Sequence, residues 1–356
     1  MNQLWIKEAF SGELPETFHG GVKWQSPSNI ALVKYWGKKG RQLSQNPSIS
    51  FTLKNCKTET SVFFEKSDRF GLRFRFDGKE NGEFQTKIHD FLLENMDFFP
   101  FLKQLDLQVN SRNTFPHSSG IASSASSMSA LVMCLLDIER MVKEADSIDL
   151  RKASYFARLA SGSACRSLFP KMALWGETPA VAESSDQYAV TLQDAIHPIF
   201  KDYHDSILIV SDAKKSVSSR AGHALMDGNP YAETRYAVAK NNIVNLLGAL
   251  QSGDLETFIR ITESEAMQLH ALMMCSEPSY ILMKPNTLRI INNLYEFRKE
   301  TDIPVCFTLD AGPNVHILYP DQHAELVERF IMDELEQYCV GGQWIPDQVG
   351  EGASKC

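Results

Sequence analysis

Residues 115–126 have the sequence FPHSSGIASSAS, and more than any other stretch they indicate how this chain folds. They are rich in glycine and serine, and they lead into an apolar, periodic segment from Met128 that predicts a helix. Small residues let a backbone approach a ligand closely, and the helix N-terminus adds free N–H groups and a positive dipole end. The stretch therefore predicts a loop that binds an anion, most readily a polyphosphate. The alternative is a serine-rich N-cap on an ordinary core helix.

The rest of the chain mixes strands and helices without strict alternation. The stretch at 115–126 has neither the Gly-Lys-Ser/Thr of a Walker loop nor a dinucleotide fingerprint, which disfavours the usual phosphate-binding folds. The predicted elements are strands within residues 51–76, 105–109, 206–210 and 305–309, and helices at 124–145, 150–160, 233–250, 255–274 and 285–299. This order predicts two α+β domains, residues 1–205 and 206–356, with a ligand cleft between them. Residues 341–356 are glycine-rich and weakly patterned, so we expect them to be mobile.

Composition excludes several classes of protein. The 356 residues carry a net charge of -8, which argues against a general nucleic-acid binder. No apolar run approaches the roughly 20 residues that span a bilayer, and Lys7 and Glu8 stand where a signal peptide would have its apolar core. Seven scattered cysteines without a Cys-x-x-Cys pair fit reduced thiols in the cytoplasm. The histidines show no metal-ligand spacing, so any metal is expected to be Mg²⁺ brought with a nucleotide.

A second motif, at residues 26–39, has the sequence SPSNIALVKYWGKK. Apolar strand positions give way to Lys34, Tyr35 and Lys38 around a glycine. Two ammonium groups and a phenol suit a phosphorylated substrate, because lysine supplies point charge and tyrosine a directional O–H. The alternative is an edge strand that ends in a solvated basic turn.

A third motif, SGSACRS at residues 161–167, breaks a predicted helix with small residues. It places the hydroxyls of Ser161 and Ser163 beside Arg166, which we expect at a helix start. The helix dipole disfavours arginine there, so the residue is better explained by binding a carboxylate or phosphate through its planar fork. An exposed arginine on an ordinary helix is the alternative. The cluster SDAKKSVSSR at residues 211–220 is equally well explained by a solvated loop.

A fourth motif, LDAGPN at residues 309–314, places Asp310 just after an apolar strand. A carboxylate at a strand end in a cleft is suited to act as a general base or a Mg²⁺ ligand. The alternative is an Asx-turn, in which Asp310 only caps the bend at Gly312 and Pro313.

Together and in this order, the motifs resemble the diphosphomevalonate decarboxylase family of the GHMP kinase superfamily. The similarity covers residues 26–31, 34–38, 46–50, 115–125, 161–167, 214–222 and 310–314. KYWGK, GSACRS and DAGPN are specific to this branch, whereas GIASS alone would indicate only the superfamily. The resemblance implies a GHMP kinase-type two-domain α+β fold, with a ribosomal-protein-S5-like N-terminal domain that binds ATP and a ferredoxin-like C-terminal domain.

The resemblance also implies an activity. Mevalonate 5-diphosphate would be decarboxylated with ATP to isopentenyl diphosphate, CO₂, ADP and phosphate, a step of the mevalonate pathway of isoprenoid biosynthesis. Phosphorylation turns a tertiary 3-hydroxyl into a leaving group that decarboxylation can expel. ATP and Mg²⁺ are the implied cofactors, and the protein would be a cytoplasmic homodimer without membrane or nucleic-acid partners.

Residue roles follow from the same resemblance. The implied catalytic residues are Asp310 at the 3-hydroxyl, Arg166 at the carboxylate and Lys34 near the transferred phosphoryl group. The implied substrate-binding residues are Tyr35, Lys38, Ser161, Ser163, Ser219 and Arg220. The implied nucleotide-binding residues are Ser119, Gly120, Ala122, Ser123 and Ser124, with Mg²⁺ carried by ATP and held by Ser123 or Ser124.

Some positions depart from the family pattern. Pro47 stands where the family has serine, and His117-Ser118-Ser119 replaces Thr-Ala-Ala. Two alternatives stay open: a decarboxylase of mevalonate 5-phosphate that gives isopentenyl phosphate, and a non-catalytic metabolite-binding homologue, which would have broken site residues. Related 3-kinases that do not decarboxylate lack the aspartate. Lys38, Tyr35 and the hydroxyls near Arg220 exceed what one phosphate needs, so we expect the diphosphate to be preferred.

Overall fold

The computed structural model describes residues 2–116, 121–213 and 217–356. Two of the expected nucleotide-binding residues, Ser119 and Gly120, therefore lie outside the described residues, as does Lys214 at the start of the 214–222 segment.

The first half of the chain and one strand from residues 354–355 form an eight-stranded sheet, and helices of the first half cover one of its faces. Its strands are β1 His19–Ala31, β4 Ser48–Lys66, β5 Gly71–Phe76, β6 Lys79–Glu80, β7 Leu105–Asn113, β8 Met172–Trp175, β9 Ala189–Thr191 and β14 Ser354–Lys355. The order is β14-β1-β4-β7-β5-β6, and β8 joins β4 to β9. A two-stranded ribbon, β2 Lys38–Lys39 and β3 Leu43–Ser44, lies apart from this sheet.

The long pair β1 and β4 determines how this half packs. Their register runs from His19 opposite Glu65 to Ala31 opposite Ser50, with a bulge after Pro27. Buried and exposed side chains alternate along the second half of β4, as expected for a sheet with one covered face. The helices of this half are α1 Asn2–Lys7, α2 Gly82–Glu94, α3 Ser123–Val142 and α4 Leu150–Ala160. Most of α3 is buried, because it lies between the sheet and α4.

The second half forms a four-stranded antiparallel sheet in the order β11-β12-β10-β13. Its strands are β10 His204–Leu208, β11 Cys306–Thr308, β12 Val315–Tyr319 and β13 Trp344–Gln348. Its helices are α5 Ser219–Ala224, α6 Ala232–Ser252, α7 Leu255–Met274, α8 Pro285–Thr301 and α9 Ala324–Phe330. No helix in the described part of the chain is both long and apolar enough to cross a membrane.

The expected α+β class is confirmed, since β5 and β7 are the one parallel pair of strands in the described ranges. The helix expected at residues 255–274 has those bounds. The helix expected at 233–250 is α6, which begins one residue earlier and ends two residues later. The second sheet begins at His204, two residues before the expected second domain.

The expectation of a mobile segment at residues 341–356 is wrong. Residues 344–348 form the edge strand β13, and β14 returns to pair with β1 in the first sheet. Asp347 fixes this return, because its carboxylate accepts hydrogen bonds from the backbone N–H groups of Lys54, Asn55 and Cys56 at 2.8–2.9 Å. Weak patterning here reflects a half-exposed edge strand and not the absence of structure.

The two halves share a hydrophobic core where the first sheet meets the second. Buried Ile30 and Phe51 from the first half lie in one cluster with Ile207 and Phe258 from the second. The loop after β1 and the turn after β11 consequently reach the same region from opposite halves. This junction determines where the candidate site lies.

Candidate active site

A cavity of about 410 Å³ lies between the two halves, and it gathers the residues that the motifs predicted. Twelve of the fourteen predicted site residues line it: Lys34, Tyr35, Lys38, Ala122, Ser123, Ser124, Ser161, Ser163, Arg166, Ser219, Arg220 and Asp310. The other two are Ser119 and Gly120, which lie outside the described residues. Five cationic side chains line the cavity, and Asp310 is the single carboxylate among its described lining residues. Such a charge balance favours an anionic ligand.

An ion pair joins the two halves at the base of this cavity. Lys34 follows β1 and is 2% exposed, and its Nζ donates to Oδ1 of Asp310 at 3.0 Å. Burial lowers the pKa of Lys34, while the Asp310 carboxylate acts in the opposite direction. His270 on α7 holds the Asp310 main chain, since its Nε2 lies 3.1 Å from the carbonyl oxygen. The Asp310 side chain therefore forms an ion pair with Lys34, which an Asx-turn alone would not require.

A buried network fixes the backbone of Lys34. Glu265 on α7 is fully buried, and its Oε2 accepts from the Lys34 backbone N–H at 2.8 Å. Arg235 on α6 forms a two-pronged ion pair with the same carboxylate, and Asn242 donates to its Oε1 at 2.7 Å. A buried carboxylate is stable only with such partners. Helices of the second half thus hold a residue that the first half supplies.

Arg166 lies opposite this ion pair and is 2% exposed. Its Nε donates to Oδ1 of Asn29 at 3.3 Å, and its Nη1 donates to the hydroxyl of Ser48. The expected helix start is wrong, because Arg166 ends a short 3-10 turn, Gly162–Cys165, that follows α4. Burial lowers the pKa of the guanidinium. Its two hydrogen-bond partners are neutral and Asp310 acts on its charge without a direct contact, so the guanidinium is fixed in place and can still bind an anion.

Tyr35 and Lys38 follow Lys34 in the chain and also line the cavity, and the Tyr35 ring packs against His223 of α5. The Tyr35 hydroxyl is buried and has no hydrogen-bond partner in the described part of the chain. Burial raises the pKa of this phenol, so it keeps its proton and can donate. Lys38 Nζ donates to Gln42 Oε1 at 2.6 Å, and burial together with nearby Arg220 lowers the pKa of Lys38 to about 8. Ser219 and Arg220 form the first turn of α5.

The nucleotide-loop residues lie at the start of α3. Ala122 precedes the helix in the left-handed region, with φ 39°, and provides no side-chain cap. The alternative of a serine N-cap is therefore wrong for the described residues. Ser124 Oγ lies 3.1 Å from the hydroxyl of Ser161, and Lys87 Nζ on α2 donates to it at 3.2 Å. Burial, together with Arg220 and Lys38, lowers the pKa of Lys87 to about 8.

Sequence reasoning missed three residues here. Lys87 lies in α2, far from every motif, and nothing in its local pattern distinguishes it from a solvated lysine. Glu265 lies on a helix that the sequence located correctly, but its burial depends on partners from two other elements. His223 could have been found from its spacing, because it follows Arg220 by three residues on a short helix.

The described residues contain no cluster of three or more His, Cys, Asp or Glu side chains suited to bind a metal. The donors that fit a nucleotide-bound Mg²⁺ are instead the hydroxyls of Ser123 and Ser124 at the uncapped start of α3. Magnesium prefers few protein ligands and retains substrate phosphates and water, which such a site permits.

Two family models match the chain in succession. The first, described as diphosphomevalonate decarboxylase-like N-terminal domain, matches residues 26–189. The second, described as mevalonate 5-diphosphate decarboxylase C-terminal domain, matches residues 206–347. A diphosphomevalonate decarboxylase of Ganoderma lucidum is 32% identical over 86% of this chain and 80% of its own length. The diphosphomevalonate decarboxylase of Saccharomyces cerevisiae is 31% identical over 86% of this chain and 79% of its own length.

Solved structures agree with these matches. The structure of MDDEF in complex with MVAPP, AMPPCP and magnesium is 26% identical, with a TM-score of 0.81, over 95% of this chain and 99% of that one. A mevalonate diphosphate decarboxylase from Legionella pneumophila is 29% identical, with a TM-score of 0.76, over 92% of this chain and 100% of that one. The likeness spans both halves, so it includes the junction where the cavity lies.

Proposed function

Because the chain belongs to the diphosphomevalonate decarboxylase family, we propose that it decarboxylates mevalonate 5-diphosphate with ATP. The products are isopentenyl diphosphate, CO₂, ADP and phosphate. The observation that carries the proposal is the Lys34–Asp310 ion pair, which lies in one cavity with Arg166 and is built from both halves of the chain.

Asp310 is the general base that accepts the proton of the substrate 3-hydroxyl. The hydroxyl oxygen attacks the γ-phosphorus of ATP and its proton passes to the carboxylate, while ADP leaves. Lys34, whose Nζ lies 3.0 Å from Oδ1 of Asp310, holds the carboxylate in place before transfer and stabilises the charge that develops on the phosphoryl oxygens. The pair thus supplies both a proton acceptor and a fixed positive charge.

Arg166 holds the substrate carboxylate. Its hydrogen bonds to Asn29 and Ser48 fix the guanidinium before substrate arrives, so little orientation remains to be lost on binding. In the second step the bond from carbon 3 to the phosphorylated oxygen breaks and phosphate leaves. The electrons of the carboxylate-to-carbon bond form the new double bond, and CO₂ is released. A carboxylate aligned by Arg166 is set for this cleavage.

The substrate diphosphate is bound on the α5 side. Tyr35, Lys38, Ser219 and Arg220 line that part of the cavity, and the unpartnered Tyr35 hydroxyl gains an acceptor when a phosphate binds. Ser161 and Ser163 add hydroxyls at its edge. This number of donors supports the diphosphate over mevalonate 5-phosphate.

ATP is bound at the start of α3, where Ala122, Ser123 and Ser124 lie beside Lys87. Backbone N–H groups of the first helical turn and the Lys87 ammonium both favour a polyphosphate. Mg²⁺ held by Ser123 or Ser124 would neutralise phosphate charge. Ser119 and Gly120 remain part of this proposal by family resemblance.

Domain division, assembly and location are further parts of the proposal. Residues 1–205 and 206–356 are the two domains, a division supported by the two sheets and qualified by β14, which returns to the first sheet.

The protein is a cytoplasmic homodimer without membrane or nucleic-acid partners. Light scattering of the purified protein tests the dimer, and a mass of one chain would contradict it.

A product assay tests the reaction. Purified protein with ATP, Mg²⁺ and carboxylate-labelled mevalonate 5-diphosphate should release labelled CO₂, ADP and phosphate in equal amounts. Unphosphorylated mevalonate is the matched control and should give almost no turnover. ADP without CO₂ would indicate a 3-kinase. No turnover of either mevalonate 5-diphosphate or mevalonate 5-phosphate would indicate a non-catalytic homologue.

A further inference from the structure

The His223 ring is enclosed on three sides. Its centroid lies 4.4 Å from the Tyr35 ring and 4.4 Å from the Trp36 ring. Its Nδ1 accepts a hydrogen bond from the backbone N–H of Gly37 at 3.0 Å. Two aromatic rings and one backbone N–H of the loop that follows β1 therefore pack against the imidazole.

The Gly37 contact fixes the tautomer of His223. A backbone N–H can only donate, so the nitrogen that accepts from it carries no proton. The proton of the neutral ring must then be on Nε2, at the opposite edge. No hydrogen bond joins Nε2 to any other group in the described ranges, and His223 is a lining residue of the cavity.

We propose that the Nε2–H of His223 donates a hydrogen bond to a phosphate oxygen of mevalonate 5-diphosphate. This inference rests on the proposed function and adds a binding residue to it. His223 lies one helical turn after Ser219 and Arg220 on α5, so the three side chains are neighbours at the cavity. The acceptor that suits this place is an anionic oxygen, because Lys38 and Arg220 also face it.

His223 is suited to be a neutral donor and not a third cation. Burial, with a smaller contribution from Lys38, lowers the pKa of His223 to about 3. The groups that face the ring are Tyr35 and Trp36 on its faces, Gly37 at Nδ1 and the cations Lys38 and Arg220 at the cavity, and none of them is a carboxylate. The side chain therefore donates in the same form across the working pH range.

The packing of α5 places this donor. A Cβ on Gly222 would lie 2.6 Å from the Trp36 ring and 2.7 Å from the hydroxyl of Tyr280, so only glycine permits this approach of α5 to the loop. His223, the next residue, thereby comes into contact with the rings of both Tyr35 and Trp36. The same contact brings the hydroxyl and guanidinium of Ser219 and Arg220 to the cavity.

Two substitutions separate the two nitrogens. In His223→Asn, the amide oxygen can replace Nδ1 as acceptor for Gly37, but nothing replaces the Nε2 donor. In His223→Gln, the longer amide can place an N–H near Nε2, while the Gly37 contact is lost. A merely structural role predicts that Asn is the better replacement, whereas the proposed donor role predicts that Gln is.

Calorimetric titration with mevalonate 5-diphosphate measures the difference. His223→Asn should weaken binding by about tenfold or more, as expected for the loss of a hydrogen bond to a charged group, and His223→Gln should stay within about threefold of wild type. The KM for ATP should be unchanged in both. His89→Asn, at a half-exposed histidine on α2, is the control and should bind like wild type. The proposal would be overturned if His223→Asn bound mevalonate 5-diphosphate as tightly as His223→Gln, or more tightly.

A measurement on the wild-type protein needs no variant to fold. With ¹⁵N-labelled histidine, addition of mevalonate 5-diphosphate should shift one Nε2–H resonance downfield, and unphosphorylated mevalonate should not. Absence of that shift while calorimetry records binding would overturn this inference alone. If wild type neither binds nor turns over mevalonate 5-diphosphate, the proposed function itself is wrong.

Discussion

The two sides of the cavity differ in how the protein satisfies their charges. On the reaction side, defined by Lys34, Arg166 and Asp310, each side chain has protein partners and the two cations are 2% exposed. Glu265 and its partners extend this order into the second half of the chain. These groups are fixed before substrate arrives.

The phosphate side, defined by Lys38, Lys87 and Arg220, is built in the opposite way. None of the three has a carboxylate within ion-pair distance among the described residues. Burial is the main cause of the lowered pKa values of Lys38 and Lys87, and the nearby Arg220 guanidinium lowers both further. The Lys38 ammonium also lowers the pKa of Lys87. The negative charge that balances these three cations must come from the ligands. Phosphate binding and the reaction itself are therefore assigned to different parts of one cavity.

The largest effect should come from Asp310→Asn on the reaction side. The amide is nearly isosteric but cannot accept the hydroxyl proton, so kcat should fall by about 10² to 10⁴ while substrate binding survives. Steady-state kinetics and calorimetric binding measure the two quantities separately. Asp321→Asn, at an exposed position of the same half, should leave both unchanged. Near-full activity in Asp310→Asn would make Asp310 a turn residue.

Arg166→Lys should have the next largest effect. A single ammonium cannot keep the contacts to Asn29 and Ser48 and also form two hydrogen bonds to the substrate carboxylate. We therefore expect kcat/KM to fall by about 10². The exposed Arg329→Lys is the matched control. If the loss is matched by a large fall in Tm, folding and not carboxylate binding explains it.

On the phosphate side, Lys87→Met should act on one substrate only. Removal of the ammonium beside Ser124 should raise the KM for ATP by about 10- to 100-fold, with little change in the KM for mevalonate 5-diphosphate. The control is Lys79→Met, an exposed lysine near the same helix. An equal rise in both values would show that Lys87 does not distinguish the two ligands.

The smallest effect is a dependence on pH. With its pKa lowered to about 8, Lys38 loses its charge as the pH rises through that value. An anionic substrate binds the charged form, so kcat/KM for mevalonate 5-diphosphate at saturating ATP should fall about twofold by pH 8 and further by pH 9. Lys38→Arg should abolish this fall, because arginine stays charged. A fall that is unchanged in Lys38→Arg would assign it to another group.

The sequence predicted the residues that lie in short motifs better than those that other elements bring to the site. Lys34, Arg166 and Asp310 each lie in a short motif, so local spacing located them even though the expected helix start at Arg166 was wrong. Lys87, His223 and Glu265 matter because of what other elements bring next to them, and local patterns contain no such information. The same holds for Asp347, whose carboxylate binds the backbone of β4 almost 300 residues earlier in the chain.

The central claim is that Lys38 and Arg220, two cations of the phosphate side without a carboxylate partner among the described residues, bind the diphosphate of the substrate. Comparing kcat/KM for mevalonate 5-diphosphate and mevalonate 5-phosphate under identical conditions tests it most directly. The account predicts at least a tenfold preference for the diphosphate, as expected when charge-assisted hydrogen bonds to a second phosphate are lost. Equal or higher efficiency with the monophosphate would contradict it and assign these cations to ATP or to solvent.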